Sequence, residues 1–407
     1  MQPDKLFSRS ARLMQPSPIR RMAGLVNQPG VISFAGGMPN PATFPDKDLR
    51  RILDEIVERD GSRIFQYGIT RGLPEFCELL AGLLTKRGVT IGDGQGLMVT
   101  NGSQQGLNLV SQVFLDPGDV VLVESPSYVG ALACFRNHQA ELVGVAQDED
   151  GIVPEDLAEQ AATLAAAGKR VKFLYCIPNF QNPSGVTITP ARRARIVEIA
   201  RRHGFLIVED DPYGELYFSG VKPGDIRPLK ALPEGEDVIY LSSFSKVVTP
   251  GLRTAYLAGP EWVIARLELA KQAADLCSSS LDQRLIYEYC RRGLYEAHLQ
   301  EVRDFYDVKC QAMLKAMEQS MPAGITWTRP RGGMFLWGTL PGGMDAEALA
   351  MEAVQHLRVA FIHGGPFFVD GTGQNTFRLT FAKEDVPAIE QGVRLLADFF
   401  LSKVAAL

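Results

Sequence analysis

Apolar and polar positions follow two kinds of pattern along this chain of 407 residues. In the middle of the chain, short runs of consecutive apolar residues alternate with stretches in which apolar residues recur at helical spacing. Such runs predict strands that are buried on both faces, and the helices between them predict a mostly parallel sheet covered on both sides. The predicted strands are residues 97–100, 120–123, 142–146, 171–177, 205–208, 238–241 and 254–258. This part of the chain is therefore predicted to be an α/β domain.

The pattern differs on either side of this region. Helical spacing predicts helices over residues 46–59 and 73–87, and one long helix over residues 282–317. After the long helix, short strands and helices alternate up to a closing helix, which is typical of a small α+β domain. We therefore expect an N-terminal segment of residues 1–45 that packs with the small domain and the functional site, a large domain of residues 46–290, and a small domain of residues 291–407.

Polar side chains follow the ends of several predicted strands, where open parallel sheets bind their ligands. These residues are Tyr128, Asn182, Asp210, Tyr213 and Lys246. A tyrosine, an asparagine or an aspartate at any one of these positions is more readily explained as a turn or core residue. Because the carboxyl ends of parallel strands meet at one edge, their coincidence predicts a single site.

The lysine in this set has unusual neighbours. Ser243 and Ser245 precede Lys246, and Arg253 follows shortly after it. Hydroxyl donors and a fixed positive charge suit a phosphate monoester, whereas a lysine held in a pocket can attack an aldehyde as a free amine. A lone lysine would ordinarily be a solvated loop residue. A lysine beside a phosphate site instead suggests pyridoxal 5'-phosphate (PLP).

Other positions supply what such a cofactor needs. Ser103 and Gln104 open a predicted helix, whose free N–H groups and positive dipole end favour a phosphate. Asp210 suits the carboxylate that keeps the pyridine nitrogen protonated, so that the ring withdraws electrons. Asn182 and Tyr213 can hydrogen-bond the ring oxygen. Tyr128 can stack on the ring.

Two further positions suit an amino-acid substrate. Arg378 lies in a predicted strand, and a planar guanidinium meets a carboxylate with two hydrogen bonds. Gly37 belongs to a glycine turn over residues 34–39, where the backbone can approach a ligand closely.

Composition excludes several other classes of protein. The formal net charge is -5 without a basic block, which argues against nucleic acid as the main partner. No apolar run approaches the roughly 20 residues that span a bilayer. The six cysteines form no CxxC pair, so neither a metal site nor a disulfide framework is predicted, and we expect reduced thiols in a cytoplasmic protein.

Several segments, taken in order, resemble one family. They are residues 101–105, 124–128, 178–185, 208–213, 243–246, 331–337 and 377–381. They resemble the fold-type-I, class I/II PLP-dependent aminotransferases. Residues 16–20 and 33–39 resemble its 2-aminoadipate / kynurenine aminotransferase branch more closely. The resemblance covers nearly the whole chain.

The resemblance implies a role for each candidate. Lys246 would bind the cofactor covalently and shuttle protons, Asp210 would meet the pyridine nitrogen, and Arg378 would bind the α-carboxylate. Tyr67 would enter the site from the partner subunit of an obligate homodimer. Arg20, on a mobile helix predicted near residues 19–26, would meet an acidic side chain.

The implied reaction moves the amino group of an L-α-amino acid, such as 2-aminoadipate or an aromatic or aliphatic one, to a 2-oxo acid such as 2-oxoglutarate by a ping-pong mechanism. Two alternatives stay open. One is a PLP enzyme of another reaction type, such as a β-lyase, decarboxylase or racemase. The other is the effector-sensing domain of a PLP-binding transcription regulator, for which we expect too few residues before the glycine turn at residues 34–37.

Overall fold

The computed structural model describes residues 5–14, 16 and 28–405, and an eight-stranded sheet forms its centre. In spatial order the strands are Gln95–Asn101, Thr254–Pro260, Val238–Ser243, Leu206–Asp210, Val171–Cys176, Val120–Ser125, Glu141–Asp148 and Gly151–Ile152. Five neighbours, from Val238–Ser243 to Glu141–Asp148, run parallel. Thr254–Pro260 runs antiparallel to both of its neighbours. The prediction of a mostly parallel sheet is therefore confirmed.

Both faces of this sheet are covered. Val120 and Leu122 belong to one buried apolar cluster, whereas Val121 and Val123, on the same strand, belong to the other. Successive side chains of a strand point to opposite faces, so this alternation requires a core on each side. Apolar runs without polar alternation are the sequence signature of such a strand.

Helices before, between and after these strands form the two covering layers and the C-terminal part. Their bounds are Arg9–Leu13, Asp46–Asp60, Pro74–Lys86, Ser103–Phe114, Val129–Asn137, Pro154–Ala166, Pro190–His203, Glu261–Ala274, Ser280–Arg291, Leu294–Ser320, Ala346–Glu352 and Val386–Val404. Among the helices so described, none combines the length and the apolar character needed to cross a membrane.

A second sheet lies in the C-terminal part of the chain. Its four antiparallel strands are, in spatial order, Thr326–Trp327, Phe335–Thr339, Thr376–Thr380 and Ile362–His363. The N-terminal segment joins this part, because Ile32–Ser33 pairs in parallel with Val359–Ala360. The backbone of Phe34 then donates to the carbonyl of Ala360 and accepts from the N–H of Thr380, each at 2.8 Å. The division of the chain at residues 45 and 290 stays a prediction.

The structure differs from the sequence prediction in one long helix. The helix expected over residues 282–317 is two helices, Ser280–Arg291 and Leu294–Ser320. Gly293 separates them with a φ of 73°, in the left-handed region that glycine adopts without a Cβ penalty. The short helix expected near residues 19–26 lies outside the described residues.

Candidate active site

A cavity of about 250 Å³ opens beyond the carboxyl ends of the parallel strands. Its lining includes Gly37, Ser103, Gln104, Tyr128, Asn182, Asp210, Tyr213, Ser243, Ser245, Lys246, Arg253 and Arg378. The structure therefore brings together every candidate of the sequence analysis except Tyr67 and Arg20. It adds Leu107, Ile177 and Pro212. Leu107 could have been found from the sequence, because it lies one helical turn after Ser103 and is therefore on the same face of the predicted helix.

Lys246 follows the strand Val238–Ser243 and reaches into the cavity. Its Nζ donates a hydrogen bond to the carbonyl of Gly37 at 2.9 Å. Burial lowers the pKa of Lys246 to about 8, and the positive charges of Arg378 and Arg253 act in the same direction. A larger share of the lysine is therefore a neutral amine near neutral pH, which is the form that attacks a carbonyl.

Asp210 is the last residue of the strand Leu206–Asp210 and is 3% exposed. Its Oδ2 accepts a hydrogen bond from the hydroxyl of Tyr175 at 2.8 Å. Its Oδ1 is buried and has no hydrogen-bond partner among the described residues. Burial raises the pKa of Asp210 to about 7. An N–H group placed in the cavity would satisfy Oδ1 and favour the carboxylate.

The helix Ser103–Phe114 points its N-terminus at another part of the cavity. Ser103 Oγ is buried and lacks a partner within the described chain. Gly102 precedes it with a φ of 78°, and a Cβ there would lie 2.1 Å from a guanidinium nitrogen of Arg253. Ser243 donates to Ser245 Oγ at 2.8 Å on the facing loop. Free N–H groups, hydroxyls and one arginine thus surround a position for an anion.

Gln104 is placed differently from its neighbour Ser103. Its side chain lines the cavity, but its amide donates to the carbonyl of Gly130 at 3.1 Å. Gly130 is in the helix that follows Tyr128. Gln104 therefore connects the anion position to the segment that carries the predicted stacking residue.

Arg378 is 2% exposed and lies in the strand Thr376–Thr380. Its guanidinium donates to Asn182 Oδ1 and to the carbonyl of Ala35, each at 2.8 Å. The ring of Phe335 lies 4.3 Å from the guanidinium carbon. Burial lowers the pKa of Arg378 to about 10, so the group stays charged at neutral pH. Its Nε is buried without a partner in the described chain.

Tyr213 is buried beside this arginine. Its ring meets that of Phe335 edge to face at 5.8 Å, and burial raises its pKa, while a hydrogen bond with Asn182 lowers it. Tyr213 therefore keeps its phenolic proton at neutral pH. Its hydroxyl and the Asn182 side chain lie on the same side of the cavity as Arg378.

Two predicted site residues are not part of this cavity. Tyr67 is 79% exposed and borders a separate depression with Cys277 and Ser278. Arg20 lies outside the described residues. Their predicted roles, in a partner's site and against an acidic side chain, stay predictions.

The family profile named aminotransferase class I and II matches residues 36–396 of this chain. The chain belongs to this family. It is a PLP-dependent aminotransferase. The predictions of family, fold type, enzyme class and cofactor are thereby confirmed.

Individual relatives match along most of their length. Aromatic-amino-acid aminotransferase 1 of Thermococcus litoralis is 40% identical, over 97% of this chain and 94% of the relative. The 2-aminoadipate transaminase of Thermus thermophilus is 40% identical, over 96% of this chain and 95% of the relative. The crystal structure of Pyrococcus horikoshii kynurenine aminotransferase superposes with a TM-score of 0.94, at 40% identity, over 99% of this chain and 98% of that one.

The cavity fits PLP on a feature of the chain itself. Three of its lining residues each carry a buried polar atom without a partner in the described chain: Ser103 Oγ, Asp210 Oδ1 and Arg378 Nε. Buried polar groups are rarely left unpaired in native proteins, and these three atoms are available to pair with groups of a ligand. A phosphate, a pyridine N–H and a carboxylate are groups that can pair with a hydroxyl, a carboxylate oxygen and a guanidinium N–H.

Proposed function

We propose that this aminotransferase moves the amino group of an L-α-amino acid to a 2-oxo acid such as 2-oxoglutarate by a ping-pong mechanism. The observation that carries the proposal is the buried, charged Arg378, whose Nε lacks a partner in the described chain, in the same cavity as Lys246. A fixed carboxylate site beside an amine of lowered pKa suits an α-amino acid. The names of the relatives support 2-aminoadipate and aromatic donors, and aliphatic donors complete the range to test.

Each side chain has a proposed task toward PLP. Bound PLP supplies an aldehyde that takes up the amino group and a ring that withdraws electrons from the substrate Cα. Lys246 holds the cofactor covalently and then moves a proton at the substrate Cα. Asp210 Oδ1 accepts the N–H of the pyridine ring. Asn182 and Tyr213 hydrogen-bond the ring oxygen, and Tyr128 stacks on the ring.

The hydroxyls around Arg253 are assigned to the phosphate. Ser103, Ser243 and Ser245 offer hydroxyls, and Arg253 offers a fixed charge close to the backbone of Gly102. Gln104, next to Ser103 in the chain, also lines the cavity and is assigned to the phosphate. The dipole of the helix Ser103–Phe114 adds a favourable field for a dianion.

Under this proposal, Arg378 binds the α-carboxylate of the donor first and that of the acceptor afterwards. Both substrates have an α-carboxylate, and both must place their reacting carbon next to Lys246. A single guanidinium can bind only one such carboxylate at a time. The donor's oxo product therefore leaves before the acceptor binds, which is the order of a ping-pong reaction.

We also propose a cytoplasmic homodimer in which Tyr67 completes the partner's site. Phe65, Tyr67 and Ile69 are 64%, 79% and 55% exposed, so alternate residues of this loop present large apolar side chains to solvent. Contiguous exposed apolar groups mark interaction surfaces. All six cysteines are free thiols, as in a reducing compartment.

The deciding experiment separates the half-reactions. Holoprotein given leucine, phenylalanine, kynurenine or 2-aminoadipate without an oxo acid should release about one equivalent of oxo product per site and stop. Adding 2-oxoglutarate should restart it. The variant Lys246→Ala should release none.

Each alternative gives a different result in this assay. Continuous release of product without an acceptor would favour a β-lyase or decarboxylase, and inversion of the amino acid would favour a racemase. Ligand binding without any product would favour an effector-sensing domain. Arg20→Ala should weaken 2-aminoadipate while sparing leucine and phenylalanine if Arg20 binds acidic donors, and equal losses for both classes would contradict that role.

A further inference from the structure

Tyr175 lies directly behind Asp210, one strand away. The strand Val171–Cys176 pairs in parallel with Leu206–Asp210, and Tyr175 is opposite Val208 in the register. Side chains alternate between the two faces of a sheet, so Tyr175, Val208 and Asp210 project from the same face. This register places the Tyr175 hydroxyl next to the carboxylate, where it donates to Oδ2 at 2.8 Å.

The tyrosine ring has a fixed position. Tyr175 is 0% exposed, and the ring of Phe135 meets it edge to face at 5.4 Å. A hydroxyl that cannot move holds the oxygen it binds in one direction. With Oδ2 bound to Tyr175, the oxygen left for the cavity is Oδ1, which has no partner in the described chain.

The charge of Asp210 depends on opposing influences. Burial and the neighbouring Asp211 raise its pKa, whereas the hydrogen bond from Tyr175 and the charge of Lys246 lower it. Other titratable groups that interact with Asp210 are Glu124, Cys176 and Tyr213. Burial raises the pKa of Tyr175 itself well above its ordinary value, so its hydroxyl remains a donor at working pH.

We propose that Tyr175 is a positioning residue for Asp210, whose hydroxyl orients the carboxylate and stabilises its charged form toward the pyridine nitrogen of PLP. The inference rests on the proposed function, in which Asp210 Oδ1 accepts the pyridine N–H. Tyr175 does not line the cavity and touches neither cofactor nor substrate in this role. In the sequence it is one residue of an apolar run and reads as an ordinary core tyrosine.

The test removes only the hydroxyl oxygen, in Tyr175→Phe. Apoprotein titrated with PLP should bind about tenfold more weakly, as expected for a lost hydrogen bond to a charged group. The acid limb of the pH profile of kcat should move up by about one pH unit. The sign follows because the hydroxyl favours ionised Asp210, so without it the carboxyl group retains its proton to higher pH.

Tyr306→Phe is the matched control. Tyr306 is also 0% exposed, and its hydroxyl accepts a hydrogen bond from the backbone N–H of Asn40 at 2.9 Å, outside the cavity lining. It should lower the melting temperature of the apoprotein without moving the acid limb. Equal shifts in both variants, or none in Tyr175→Phe, would overturn the inference.

Two further variants cover other outcomes. In an Asp210→Asn background, Tyr175→Phe should hardly change PLP affinity, because the two side chains act as one unit. If Tyr175→Phe does not fold, Phe135→Leu keeps the hydroxyl but loosens the ring, and should move the acid limb upward by less. If Phe135→Leu folds and the acid limb of its pH profile of kcat does not move, that result would overturn the inference. A wild-type protein that transfers no amino group would instead refute the proposed function.

Discussion

Replacing Arg378 tests the proposed carboxylate site most directly. The side chain is 2% exposed and already donates to Asn182 and to the carbonyl of Ala35, both at 2.8 Å. Its orientation is therefore set before a substrate binds, and its Nε lacks a partner in the described chain. Little ordering entropy is lost on binding, which makes a charge-assisted pair with a carboxylate effective.

The magnitude follows from this geometry. A hydrogen bond to a charged group contributes roughly 1.5–3 kcal/mol, which is about a ten- to hundredfold change in affinity. Arg378→Ala should therefore raise KM by this factor for every amino donor and every oxo acceptor. Arg378→Lys keeps the charge but loses the planar fork, so it should lose less.

Half-reactions with single substrates provide the assay, because the absorbance of the bound cofactor gives an apparent dissociation constant for each donor and acceptor. Arg303→Lys is a suitable control. The Arg303 guanidinium donates to the carboxylate of Glu215 at a distance of 2.9 Å, and Arg303 does not line the cavity. This variant should leave all these constants unchanged. A loss in Arg378→Ala that is confined to acidic substrates would refute the reasoning, because Arg378 would then bind the side chain.

Three other predictions concern the cofactor. Asp210→Asn should reduce kcat strongly in steady-state assays while circular dichroism stays unchanged, and unaltered kinetics would place another acid on the pyridine nitrogen. The rate of PLP capture by apoprotein, followed by absorbance, should rise with pH and level off above about 8, because only the neutral amine of Lys246 attacks; a rate independent of pH would contradict this. Gly102→Ala should weaken PLP affinity, since its Cβ would displace Arg253; titration of the apoprotein with unchanged affinity would exclude this role for Arg253.

Much of the fold follows from local patterns. Apolar runs predicted the strands because burial on both faces leaves no polar alternation, and parallel pairing then brought Asn182, Asp210 and Lys246 to one edge. The break at Gly293 was missed because helical spacing continues across it. A single glycine inside such a pattern does not reveal its φ.

The contacts between distant segments could not be predicted. The bond from Arg378 to Ala35 joins residues 343 positions apart, and no local pattern contains it. Tyr175 was overlooked for a different reason, since its hydroxyl matters only through the register between two strands. Sequence spacing thus located groups at strand ends, whereas the groups that orient them depend on packing.

The proposed carboxylate site is assembled from three separate parts of the chain. Arg378 comes from the C-terminal sheet, Asn182 follows a strand of the large sheet, and Ala35 belongs to the N-terminal segment. The same segment accepts a hydrogen bond from Lys246 at Gly37. Any displacement of the N-terminal segment therefore breaks a bond to the proposed carboxylate site and a bond to the proposed cofactor lysine together. A bound α-carboxylate would add a further bond to Arg378 and so restrain the guanidinium that the N-terminal segment contacts at Ala35.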